Sequence, residues 1–295
     1  MEKSKVFFTK EITAESLIRI YEKLGVELKG NIGVKVSTGE KGAKNYLKAD
    51  LIGPFVQKIN GTIIECNTAY PGKRNNAKEH MKVAEEHGFT SFANVDIMDS
   101  EGEFKIPVNN GKHLKYDIVG SHLENYDSMV NLSHVKGHAM GGYGAALKNQ
   151  SIGVASRNGK AYIHSCGKTE SPVKCWMVKY EQTDFIESMA EAAKAVQDYF
   201  EENHKPILYI NVMNAMSVDC DCDSYQGDPV MADIGIAASL DPVAVDQACI
   251  DMIWNSTDPG AKELQARVDR QEGRHILPYA EEIGLGTREY ELEEI

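Results

Sequence analysis

The stretch Met129-Val-Asn-Leu-Ser-His-Val-Lys-Gly-His-Ala-Met-Gly-Gly-Tyr-Gly-Ala-Ala-Leu-Lys148 decides the fold. It opens on a short apolar run, passes through two histidines and four glycines, and ends on a helix-like Ala-Ala-Leu-Lys. A strand that gives way to a permissive loop and then a helix has the form of a ligand loop at the carboxyl end of an α/β sheet. Glycines let backbone N–H groups approach an anion, and the next helix N-terminus adds partial positive charge.

The rest of the chain repeats that texture. Apolar runs at 5–8, 32–36, 62–66, 129–133, 207–212 and 234–238 alternate with helix-period segments at 14–24, 50–59, 77–87, 184–203 and 243–254. The order predicts an α/β protein with a mixed, mostly parallel sheet flanked by helices. No linker or repeat divides it, so one large domain is expected, or two closely packed lobes of about 1–125 and 126–295. Asp241-Pro242 and Asp258-Pro259 each place a capping carboxylate before a proline suited to a first helical turn. Residues 104–108 and 114–119, around Asn109-Asn110-Gly111, predict a β-hairpin, an antiparallel addition to the sheet.

Among 295 residues, 42% are hydrophobic and 26% charged, and 32 Lys+Arg against 44 Asp+Glu give a net charge of −12. Such proportions exclude a disordered or low-complexity chain, and the acidic balance argues against a nucleic-acid binder. No window offers the ~20 apolar residues that span a bilayer. Residues 1–10 contain charges and no apolar core of a leader, so no membrane partner and a cytoplasmic location are expected. The six cysteines should then be reduced. Cys66 and Cys249 lie in apolar runs and read as core, whereas Cys166, Cys175, Cys220 and Cys222 lie in polar loops.

Three further loops carry candidate chemistry. Lys73 and Arg74 sit in a Pro-Gly turn before a helix, where Arg74 could grip a carboxylate or phosphate bidentately. Residues 37–42 hold glycine and lysine without phosphate-loop spacing. Cys220 and Cys222, interleaved with aspartates, could ligate a metal, although Cys-x-Cys is too close for a standard zinc or ferredoxin pattern. His134 and His138 add imidazoles beside them in the glycine loop.

Together Asn67-Thr-Ala-Tyr, His80, Ser133-His-Val-Lys-Gly-His138, Gly142-Tyr-Gly144, Asp219-Cys-Asp-Cys222 and Asp233-Ile-Gly-Ile resemble domain-of-unknown-function family 362, nearly end to end. Many members of that family carry a ferredoxin-like insertion after the position of His164. Here that place holds only the segment 166–175 with its two cysteines, so an iron–sulfur cluster is not expected in this chain alone. A second resemblance is to nickel-pincer lactate racemase-type enzymes, through His138 and Gly142-Tyr143, a lysine ten residues after that histidine and a histidine sixteen beyond the lysine. It implies His138 as a general base, Lys148 as a covalent cofactor anchor with Gly142, Tyr143 and Arg74 around the cofactor, and His164 as a nickel ligand. Lys73 stands where that resemblance expects the second base, and Ala145-Ala146 replace a glycine pair.

The sequence therefore predicts a metal- or cofactor-dependent enzyme, isomerase-like, acting on a small anionic ligand. His138 and Lys73 would be catalytic, and His164, His134, Cys220 and Cys222 would be metal ligands for a divalent ion such as nickel, iron or zinc. The alternatives are a non-catalytic metal-binding or electron-transfer accessory protein and an anion-binding module without turnover. A redox partner protein or a homo-oligomer would be the macromolecular partner.

Overall fold

The computed structural model describes residues 3–295, so the leader reading over 1–10 lies partly outside the described residues. The strands are β1 (Ser4–Thr9), β2 (Ile32–Lys35), β3 (Thr62–Glu65), β4 (Val95–Ile97), β5 (Glu103–Pro107), β6 (Tyr116–Gly120), β7 (Ser128–His134), β8 (Lys136–His138), β9 (Gly142–Gly144), β10 (Ile207–Met213), β11 (Gly235–Ser239) and β12 (Tyr290–Glu294). The helices are α1 (Ala14–Lys23), α2 (Ala49–Lys58), α3 (Ala77–Glu86), α4 (Ala146–Gln150), α5 (Arg157–His164), α6 (Gln182–Glu202), α7 (Pro242–Trp254), α8 (Ala261–Arg270) and α9 (Ile276–Glu282).

Eight strands form one sheet in the order β12-β1-β11-β10-β7-β2-β3-β4. Every neighbouring pair is parallel except the two that β11 makes, with β1 and with β10. The central strands are continuous apolar runs because both faces are covered. Val130 and Leu132 of β7 join the core under α1 and α2 with Leu17, Ile52 and Phe55, while Met129 points to the opposite face with Val196 and Phe200 of α6. Each fully buried side chain of this kind contributes roughly 1.5–3 kcal/mol.

Two expectations need correction. The pair β5–β6 is antiparallel as predicted, but it forms a separate two-stranded ribbon and adds nothing to the main sheet. Asp241 caps α7, accepting from the N–H groups of Val243 and Ala244. Asp258 instead closes a turn, accepting from Gly260 and Ala232, and α8 begins only at Ala261. Among the described residues no helix is long and apolar enough to cross a membrane.

Candidate functional site

Parallel strands end on the same side, so the loops after β2, β3, β7 and β10 converge there. They enclose a cavity of about 240 Å³, completed by α5 and Trp176. The glycine loop after β7 folds back as the short hairpin β8–β9, in register Lys136 to Gly144 and His138 to Gly142. Gly137 passes so close to the Val218 backbone that a Cβ would lie 2.4 Å from its carbonyl oxygen. The buried Asp246 fastens the far end of the loop, accepting from the N–H groups of Ala146 at 2.9 Å and Leu147 at 3.0 Å and from Asn211 on β10 at 2.7 Å. Burial raises its carboxyl to about 7 despite those bonds.

At the mouth of β3 stands Glu65, a buried carboxylate among cations. Arg74 Nη1 lies 3.0 Å away, His80 Nε2 2.9 Å and Lys35 Nζ 3.6 Å. Burial alone would raise its pKa, but Arg74, Lys35 and His80 hold it well below the carboxylate range. Burial pushes Lys35 down to about 8 against the pull of Glu65. The cavity wall carries Lys35, Arg74, Lys136, Lys148 and Lys160 with Glu65 as its one carboxylate, a cationic pocket in an acidic chain.

Opposite Glu65, the loop after β10 brings in the cysteines. Ligand atoms of His138, Cys220 and Cys222 all lie within 4.8 Å of one another. The buried Asp221 between the cysteines anchors the loop, with His134 Nδ1 at 2.9 Å, Lys136 Nζ at 2.8 Å, and its own carbonyl accepting from the Glu40 N–H at 2.7 Å. The Cys222 N–H points at Cys220 Sγ, 3.3 Å away, and Lys148 Nζ lies 3.8 Å from the same sulfur. A separate hydrogen bond from the Cys222 thiol, then Lys148 and His138, holds the Cys220 thiol well below its ordinary value. Donating that thiol proton to Cys220, with burial added, drives Cys222 up.

Hydrogen bonds fix the proton on His138. Its Nδ1 accepts from the N–H groups of Gly141 at 2.8 Å and Met140 at 3.2 Å, so the ring proton sits on Nε2, which faces Cys222 Sγ at 3.8 Å. Burial, with Lys148 adding to it, lowers its pKa and keeps the ring neutral. His164, at the end of α5, stacks on Phe185 with ring centroids 4.9 Å apart. Burial, His138 and Lys148 push it down to about 3, and its buried Nδ1 has no partner. It lines the same cavity but stands outside the His138–Cys220–Cys222 cluster.

The structure thus brings His138, Lys148, Arg74, His164, Cys220 and Cys222 to one cavity, and separates the other candidates from it. Lys73 is exposed and gives only its backbone N–H, to Glu40 Oε1 at 3.0 Å. His134 has both ring nitrogens against acceptors, Asp221 and the Asn214 carbonyl at 2.7 Å, so neither offers a lone pair to a metal. Gly142 serves the β8–β9 turn at φ +69°, and the Tyr143 hydroxyl is buried against the Asp246 carbonyl. Among the cysteines read as core, Cys66 also touches the cavity, with its thiol driven up by burial. Glu65, Lys160, Tyr70 and Trp176 were not foreseen. A glutamate inside the apolar run 62–66 was the available signal, because a charge buried at a strand end needs partners.

The chain belongs to DUF362, a domain-of-unknown-function family whose model matches residues 32–251. All the cavity residues named above fall inside that span. No curated protein matches the chain. Among solved structures, the lactate racemase apoprotein from Thermoanaerobacterium thermosaccharolyticum is similar with a TM-score of 0.46 and 10% identity, over 84% of this chain and 56% of that one. The chain therefore spans little more than half of that structure's length.

Proposed function

We propose that this DUF362 member is a metal-dependent enzyme that moves a proton on a small anionic substrate. The carrying observation is the meeting of two sulfurs, one of them with its thiol pKa lowered, and a neutral imidazole N–H in a cationic cavity. Thiolate sulfur favours a soft ion such as zinc or iron over magnesium or calcium. Cys220 and Cys222 would hold the ion, leaving coordination positions for substrate. As a ligand through Nε2, His138 would have to surrender either its proton or the two N–H contacts on Nδ1, so its place is beside the ion. There it would donate and accept a proton at Nε2. When bound, the ion would polarise the substrate's oxygen. Lys148 would hold the anion's charge, and Arg74, already engaged by Glu65 and Tyr70, would stiffen the wall.

Zinc or cobalt titration of the reduced protein tests the metal, and deuterium uptake from solvent into a panel of small carboxylates tests proton transfer. Tight binding of one ion with exchange that disappears in His138→Gln is the expected result. A protein that takes up no metal from either titration would sink the reading.

One observation favours a second reading. Lys148 and the neutral His164, with its unpartnered ring nitrogen, line the same cavity, as a covalently anchored nucleotide–nickel group would require. Such a group, when bound, would supply a hydride acceptor. The chain would contribute the Lys148 Nζ attachment and the His164 ligand. A mass increase mapping to Lys148 in protein from cofactor-competent cells would support it, and unmodified Lys148 there would remove it.

A further inference from the structure

The two sulfurs permit a chemistry that metal binding does not use. We propose that Cys220 and Cys222 are a redox pair that closes into a reversible disulfide, and that closure removes the ion's ligands; this second clause rests on the metal reading above.

Local geometry carries the inference. The Asp223 N–H donates to the Cys220 carbonyl at 2.9 Å, which closes a turn over residues 220–223. A turn contracts the Cα separation of residues two apart below the roughly 6.6 Å they have in a strand. That brings the pair inside the Cα range of about 4.4–6.8 Å that a disulfide tolerates. The sulfurs already lie within 4.8 Å, so side-chain rotation can join them while Asp221, tied to His134 and Lys136, keeps the turn in place. Alone among the six cysteines Cys222 is not buried, and it faces the cavity from which a small oxidant would arrive.

A low-molecular-weight disulfide RSSR is the co-reactant. The sulfur of one cysteine attacks it, a mixed disulfide forms and one RS⁻ leaves. The second cysteine sulfur then displaces the other RS⁻ from the mixed disulfide, closing the Cys220–Cys222 bond. Both thiol protons end on the two RSH released, and two electrons pass from the protein to RSSR. A dithiol reductant reverses the sequence.

The test treats the reduced, full-length, natively folded protein with hydroxyethyl disulfide, then alkylates, maps peptides and titrates zinc. The expected result is a mass lower by two hydrogens, loss of alkylation at Cys220 and Cys222 only, and zinc affinity reduced by at least about 100-fold and restored by dithiothreitol. Cys222→Ser should trap the reagent as an adduct on Cys220. Persistent adducts in the wild type, a bond that maps to other cysteines, or both thiols still alkylated would overturn the proposal. A Cys220–Cys222 bond in a protein whose reduced form takes no zinc would sink the metal reading and leave the redox pair standing.

Discussion

Among the described residues two groups of side chains of metal-ligand type come together, and they are built on opposite plans. His138, Cys220 and Cys222 meet at the carboxyl edge of the sheet; His113, Asp184 and Glu187 meet where α6 touches the loop before β6. In the second group the Glu187 carboxylate is consumed. Glu187 takes His113 Nε2 at 2.6 Å and Lys112 Nζ at 2.7 Å on one oxygen and His275 Nε2 at 3.0 Å on the other. One turn along α6, Glu191 accepts the N–H groups of Lys112, His113 and Leu114. The oxygens of Glu187 and Glu191 are all taken up by donors of the protein itself, so the cluster is a clamp between elements. At the sheet edge Lys148 and the Cys222 sulfur instead face a cavity. Proximity of ligand-type residues is shared; what differs is whether their polar capacity is already spent.

The largest effect that could break this contrast is on metal uptake. Replacing Cys220 and Cys222 together by serine should weaken zinc or cobalt binding by more than about 100-fold, while Glu187→Gln changes it less than about twofold. Calorimetric titration of both variants decides, and equal losses would erase the distinction.

Stability should respond the other way. Glu187→Gln removes the charge and one of the two acceptor oxygens that serve Lys112 and two histidines, so it should cost about 2 kcal/mol at pH 7 in urea melts. Although burial opposes it, His113, Lys112 and His275 hold the folded carboxyl at about 2, against the ordinary 4.5 of a glutamate. The stability it adds is therefore fully present above about pH 4.5 and is lost as pH falls from there toward 2. Wild-type melts should steepen in that window, and the glutamine variant should lack that part of the slope.

A smaller effect sharpens the sheet-edge side. Lys148→Met removes a charge that helps ionise Cys220, so its alkylation at neutral pH should slow by about tenfold with the pH profile displaced upward. An unchanged profile would mean that the bond from Cys222 suffices. Least of all should Lys73→Ala matter: anion affinity, read by thermal shift, should move less than about twofold, because that side chain points to solvent.

Lys73 and Arg74 show how far the sequence carries. They are neighbours of like charge in one turn, yet one is exposed and the other is 3% exposed beside Glu65. Nothing in residue type separates them; the course of the loop does. The buried parallel strands were legible because their apolar runs are continuous, and α7 because its Asp-Pro start is local chemistry. β12 was not, since Tyr-Glu-Leu-Glu-Glu reads as a polar tail and becomes a strand only by pairing with β1. The antiparallel course of β11 leaves no mark in composition either. At the site, each of His138, Lys148, Arg74 and the two cysteines could be picked out by loop texture, whereas the partnership of His138 with Cys222 depends on β7 and β10 lying side by side. The proton position on His138 depends on two backbone N–H groups and is invisible in any motif.

The order of the sheet also bears on how the molecule is made. Val6 pairs with Ser239 and Leu292, and Val34 with Val130, so the ladder joins segments far apart in the chain. Such long-range pairing raises contact order and slows folding. The four loops of the cavity come into register only after those pairings exist, so a small molecule or ion that binds there meets the finished fold and not its precursors. At a free concentration one hundred times its dissociation constant it would stabilise the native state by about 2.7 kcal/mol. Supply of the ligand would then govern how long a newly folded chain persists.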